Sequence, residues 1–160
     1  MSAPVPKTVV QEANELLDRG SDVDLHRARR LLQKEVSRDD SDPYTYSLLA
    51  EVHMRLGEKQ EALRLMQRAV QMSPQDGFLL FNLGAAYLEA GKYEEASRVL
   101  QAVQKWPDRP DDPRVVWTKR MARMLSLSSD IGAARRAKES QSTDICDTKS
   151  GAEIISELRR

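Results

Sequence analysis

Two histidines, His26 and His53, and one cysteine, Cys146, are the side chains of this 160-residue sequence best suited to acid–base, nucleophilic or metal chemistry. A histidine does such work when a carboxylate orients it and a nucleophile or a metal lies within hydrogen-bond reach. The two histidines fall in different parts of the chain, and no His-x-x-x-His pair, Gly-rich phosphate loop or nucleophile elbow accompanies them. A single cysteine supports neither an internal disulfide framework nor a cysteine metal cluster, and the sequence leaves the reactivity of Cys146 open. No catalytic, cofactor-binding or metal residue is therefore expected, and the chain reads as a non-enzyme.

The elements around these residues repeat. Gly57 and Gly91 lie 34 positions apart, as do Leu49 and Leu83, Ala62 and Ala96, and the acids Asp42 and Asp76 that precede each unit. A fixed period of this size marks a solenoid, whose units bury their apolar faces only against neighbours. Ala62, Ala96 and Gly84 stand where a small side chain lets two helix backbones approach. Gly57 and Gly91 end the first helix of each pair in a left-handed conformation, and Pro74 stops the second.

The unit from Pro43 carries Tyr46, Leu49, Ala50, His53, Gly57, Ala62, Met66, Ala69 and Pro74. The next, from Gly77, carries Leu80, Leu83, Gly84, Tyr87, Gly91, Ala96, Leu100 and Val103. This pattern resembles the tetratricopeptide repeat, a helix-turn-helix unit of the same period. The match is close in Leu83-Gly84-x-x-Tyr87 with Ala96, and looser in the preceding unit, where Ala50 replaces the Gly and His53 the Tyr. The resemblance implies an all-α, right-handed superhelical array, and it makes His53 a packed histidine.

Residues 9–42 read as a degenerate first repeat with a long turn from Gly20 to Asp24, followed by repeats at 43–76 and 77–110. Asp112-Pro113 is a fresh N-cap with proline in the first helical position. Over 113–137 the sequence predicts a capping helix that turns Trp117, Met121, Met124 and Leu125 onto the third repeat, or a degenerate fourth repeat with a second helix from Ser128. From 138 to 160 the composition predicts a flexible polar tail ending in a short amphipathic helix with Ile154, Ile155 and Leu158.

Net charge is zero, and basic and acidic groups are evenly spread: 7 and 9 over residues 1–42, 8 and 8 over 43–110, 10 and 8 over 111–160. Nucleic-acid binding, which needs a concentrated positive field, is not expected. No stretch reaches transmembrane length, and Met1 to Lys7 lack a signal-peptide core, so the expected location is cytoplasmic without membrane insertion.

The resemblance also implies that the first helix of each unit lines a concave face. The positions concerned are Tyr44, Ser47, Leu48, Glu51, Met54 and Arg55, then Phe78, Phe81, Asn82, Ala85, Leu88 and Glu89. Tyr44, Leu48, Phe78, Phe81, Asn82, Ala85 and Leu88 form the expected peptide site. Phe78 and Phe81 supply an apolar surface surplus to packing, and Asn82 is placed to fix a peptide backbone. The family's two-cation carboxylate clamp is missing: Ala13, Leu17, Leu48, Phe78 and Asn82 occupy its positions. The expected role is a scaffold or adaptor that binds a protein or peptide ligand through an apolar anchor. Two other readings stay open: a small cytoplasmic chaperone for hydrophobic secretion substrates, and an adaptor that self-associates or is autoinhibited through the groove or the C-terminal tail.

Overall fold

Short polar punctuation sets the helix boundaries, and the computed structural model describes residues 8–38, 42–108 and 111–147. Within them lie α1 (Val9–Arg19), α2 (Asp22–Val36), α3 (Pro43–Arg55), α4 (Lys59–Met72), α5 (Gly77–Glu89), α6 (Tyr93–Gln104) and α7 (Pro113–Asp147). No strand occurs among the described residues. The two acids one period apart act alike. Asp42 accepts the N–H groups of Tyr44 and Thr45 at 2.8 and 3.1 Å, and Asp76 those of Phe78 and Leu79 at 2.8 and 3.2 Å. Each cap satisfies donors that have no intrahelical partner, a contribution of about 1 kcal/mol.

Gly57 and Gly91 follow α3 and α5 with φ of 79° and 71°, a region that costs a side-chain-bearing residue but not glycine. The first hairpin closes more tightly than its sequence suggests. Ser21 caps α2, accepting the Asp24 N–H at 3.1 Å, so Asp22 already lies in the helix and only Gly20 and Ser21 form the turn. Acids in a first helical turn favour this outcome, because they meet the positive end of the helix dipole.

The three hairpins share buried clusters rather than one common core. The first joins Leu16, Leu17, Leu25 and Leu32 of the opening hairpin to Leu49 and Val52 of α3. The second joins Ala50, Leu63 and Met66 to Leu83 and Ala86 of α5, and the third joins Ala96, Leu100 and Val103 to Ala122 of α7. Each cluster thus bridges consecutive units, the nearest-neighbour pattern of a repeat array.

Helix α7 differs from expectation in two respects. It is continuous: no turn occurs at Ser128, and the helix runs past Ala137, through residues read as the start of a flexible tail, to Asp147. Ile154, Ile155 and Leu158 lie outside the described residues. The expected stripe meets the array only in part: Leu125 packs against the third cluster and Trp117 touches Phe81, but the fully buried row is another one. Val115, Thr118, Ala122, Ser126 and Ser129 are buried, whereas Trp117 and Met124 are 55% and 58% exposed. The inward residues are small or β-branched, which lets α7 approach α5 and α6 closely; a tryptophan or methionine on that face would hold it away. Ser97 secures the contact by donating its hydroxyl to Asp130 at 2.7 Å.

One ion-pair cluster ties the first hairpin to the second. His53 is buried, and its Nδ1 lies 2.5 Å from Glu58 Oε2, while Arg29 of α2 donates to Oε1 of the same carboxylate at 3.0 Å. An ionised carboxylate only accepts, so the imidazole carries its proton on Nδ1. The His53 hydrogen bond above all, then the charges of His53 and Arg29, hold Glu58 below the usual carboxylate range. A depressed folded-state value gives stability that is present above the unfolded value and lost as pH falls through the folded one. Because the carboxylate is 43% exposed, screening limits the contribution to about 1 kcal/mol or less. Glu58→Gln is thus expected to lower the melting midpoint slightly at pH 7 and to flatten its decline between neutral and acid pH. Parallel acid slopes for the variant and wild type would refute this linkage.

Candidate functional site

A polar-rimmed cavity of about 400 Å³ opens between α3 and α5. Glycine turns and aspartate caps at equal spacing hold these two helices side by side, so corresponding positions of successive repeats face one space. The α3 wall presents Ser47, Ala50, Glu51, Met54 and Arg55, and the α5 wall presents Asn82, Ala85, Ala86 and Glu89. Ala62 and Met66 of α4 form the floor. Small side chains create the space, and methionine, which has an adaptable thioether chain, lines it.

Polar groups at the rim are held in place. Asn82 Nδ2 donates to Ser47 Oγ at 3.2 Å, linking α5 to α3. Arg55 donates to the Leu17 carbonyl at 2.8 Å and to Glu51 Oε1 at 2.6 Å, so its guanidinium ties the α1 C-terminus to the cavity wall. Ordering of this kind before binding reduces what must be ordered on binding.

Of the seven residues expected to contact a peptide, Asn82 and Ala85 line this cavity. The other five lie elsewhere. Tyr44 donates its hydroxyl to Asp76, the acid that caps α5, and its ring is about half exposed. Burial of the phenol first, and that hydrogen bond second, push its pKa up to about 12. Leu48 packs against the first core cluster and Leu88 against the third. Phe78 meets Trp106 edge-on at 4.8 Å between ring centroids, and Phe81 meets Trp117 in the same manner at 5.8 Å. The two phenylalanines are therefore not surplus to packing, because each anchors a tryptophan from the chain after α6.

Glu51, Met54, Arg55 and Glu89 follow the repeat register and belong to the cavity, whereas the aromatic residues of that register do not line it. The signal available was the small Ala85 facing Ala50 and Ser47, which leaves room that a phenylalanine would fill. Among the described residues no three His, Cys, Asp or Glu side chains gather as a metal site, and no helix is long and apolar enough to cross a membrane.

Two family profiles described as tetratricopeptide repeat match the chain, one over residues 10–77 and the other over 57–116, together spanning all three hairpins and the start of α7. The chain belongs to the tetratricopeptide repeat family. The array superposes on solved tetratricopeptide structures. One is the TPR2B domain of yeast Sti1 in complex with an Hsp70 peptide, with a TM-score of 0.64 at 17% identity over 76% of this chain and 93% of that one. Another is the Yersinia enterocolitica type III secretion chaperone SycD bound to a peptide of the translocator YopD, with a TM-score of 0.63 at 14% identity over 79% and 95%. A third is MamA, with a TM-score of 0.51 at 20% identity over 81% of each chain. At such identities the likeness carries the repeat fold alone. No protein of curated function matches the sequence. Within the tetratricopeptide frame, the cavity described above lies between the first helices of the second and third repeats.

Proposed function

We propose that this tetratricopeptide array is a non-enzymatic interaction module that holds a partner peptide in the cavity between α3 and α5. The single observation that carries this reading is the cavity itself. It has an apolar lining of Ala50, Met54, Ala62, Met66 and Ala86, with Asn82 and the carboxylates of Glu51 and Glu89 at its rim. That arrangement suits a peptide that inserts one apolar side chain and leaves its backbone to the polar rim. The peptide-bound states of the Sti1 and SycD structures support the reading by analogy of fold. Asn82 and Ala85 are the contact residues this assigns. Tyr44, Leu48, Phe78, Phe81 and Leu88 instead make packing and hydrogen-bond contacts that hold the helices in place.

Random peptides displayed on phage and selected on the full chain provide the test, with binding of the recovered peptides measured by fluorescence anisotropy. Ala85→Trp fills the cavity and is expected to weaken those peptides about tenfold or more, with little change in melting temperature. Phe81→Ala is expected to do the opposite, lowering the melting temperature through loss of its contact with Trp117. Recovered peptides that bind Ala85→Trp as tightly as wild type would place the site outside the cavity.

A further inference from the structure

The outer face of α7 carries a largely exposed apolar seam, touched among the described residues at Trp117, whose ring meets Phe81. Trp117, Met124 and Ile131 recur every seven residues, and Arg120, Leu127 and Ala134 fill the intervening positions. All six are exposed, Leu127 and Ile131 at 61% and 72%. The seam lies opposite the buried row of Val115, Thr118, Ala122, Ser126 and Ser129, so beyond Trp117, whose ring reaches back to Phe81, it faces away from the array. A heptad of this kind is the pattern by which one helix packs against another. We infer that a second copy of this chain covers the seam, with the two α7 helices antiparallel about a two-fold axis.

Size and charge both select that partner. In the antiparallel register that sets Met124 against Leu127 of the second copy, Trp117 falls opposite Ala134, and Arg120 opposite Ile131. The largest side chain thereby meets the smallest, and the arginine stem lies along an isoleucine while its charge stays in water. Exposed Arg123 and Asp130 flank the seam on one edge, and the same register brings each beside the other's counterpart. Asp130 engages the Ser97 hydroxyl through Oδ1, which leaves Oδ2 for a guanidinium across the axis. Every contact occurs twice, as an isologous interface requires. The grooves between α3 and α5 stay open, so the pairing presents two of them on one particle.

Sedimentation equilibrium of the full chain over a rising concentration series tests the pairing. The weight-average mass is expected to climb toward twice that of the monomer, and Ile131→Glu to hold it at the monomer with an unchanged helical circular dichroism signal. Arg123→Asp and Asp130→Arg each set like charges side by side and are expected to weaken association about tenfold, while the two together restore it. The inference is overturned by a chain that stays monomeric at the highest concentration. It is equally overturned by a dimer indifferent to Ile131→Glu, which would point to the groove or to residues 148–160, or by a double variant no better than its singles.

Discussion

Leu100→Ala is expected to remove about 2–5 kcal/mol of stability, the largest effect of any substitution considered for this chain. Leu100 is fully buried, and its cluster joins α6 to Ala122 of α7, with Leu80, Phe81, Tyr87 and Leu88 of α5 packed around it. Truncation there loses the transfer free energy of the removed carbons and leaves a cavity whose walls belong to three helices. Those helices are fixed by other contacts: the Asp76 cap on α5, and the Ser97 to Asp130 hydrogen bond between α6 and α7. Collapse around the gap is thus limited, which places the cost toward the upper part of that range. Urea unfolding followed by circular dichroism gives the number, and a loss under about 1 kcal/mol would mean that the site relaxes and that the third repeat is loosely packed.

Overfilling the same contact is the second large effect. A Cβ built on Gly84 would stand 2.5 Å from Leu100 Cγ and Cδ2, well inside van der Waals contact. Gly84→Val is therefore expected to cost about 2–3 kcal/mol, since the side chain it strikes is itself enclosed. For a chain of this size that corresponds to a fall in melting midpoint of roughly 5–10 °C. Helix propensity pulls the other way, because glycine inside a helix is about 1 kcal/mol worse than alanine, so the sign of the measured change decides whether close approach or backbone entropy governs this position. The two sites share one space and should couple. With Leu100→Ala in place, the valine carbons enter the vacated volume, and the double variant is expected to be at least about 1 kcal/mol more stable than the sum of the singles. Additive losses would show that the two substitutions act through separate parts of the fold.

The contrast between α5 and α7 explains how far the sequence could be read. In α5 the capping acid, the glycine that ends the helix and the Leu83-Gly84-x-x-Tyr87 signal recur one period from their equivalents in α3, so several independent features agree on one register. The register also brought Asn82 and Ala85 to the cavity. In α7 the apolar stripe of Trp117, Met121, Met124 and Leu125 lies along the flank of the contact, with Leu125 packed on the third cluster and Met124 exposed, while the buried row is Val115, Thr118, Ala122, Ser126 and Ser129. Hydrophobicity places the contact to one side of its centre because a closely approached helix is filled by small side chains rather than by large apolar ones. The packing of Phe78 and Phe81 is not legible in the repeat register, because the tryptophans they meet come from the irregular segment after α6 and from α7, which no register specifies.

The sequence by itself determined the all-α class, the period, the punctuation of the second and third hairpins and their membership of a repeat array. Each of these follows from local chemistry repeated at a fixed spacing, such as an aspartate that caps its own helix or a glycine that tolerates positive φ. Only the tertiary structure decided which face of α7 meets the array, that Trp106 and Trp117 occupy Phe78 and Phe81, and that the accessible space lies over Ala85 and Asn82. These depend on how closely non-repeating segments can approach a preformed surface, and that distance is set by the summed volumes of side chains far apart in the chain.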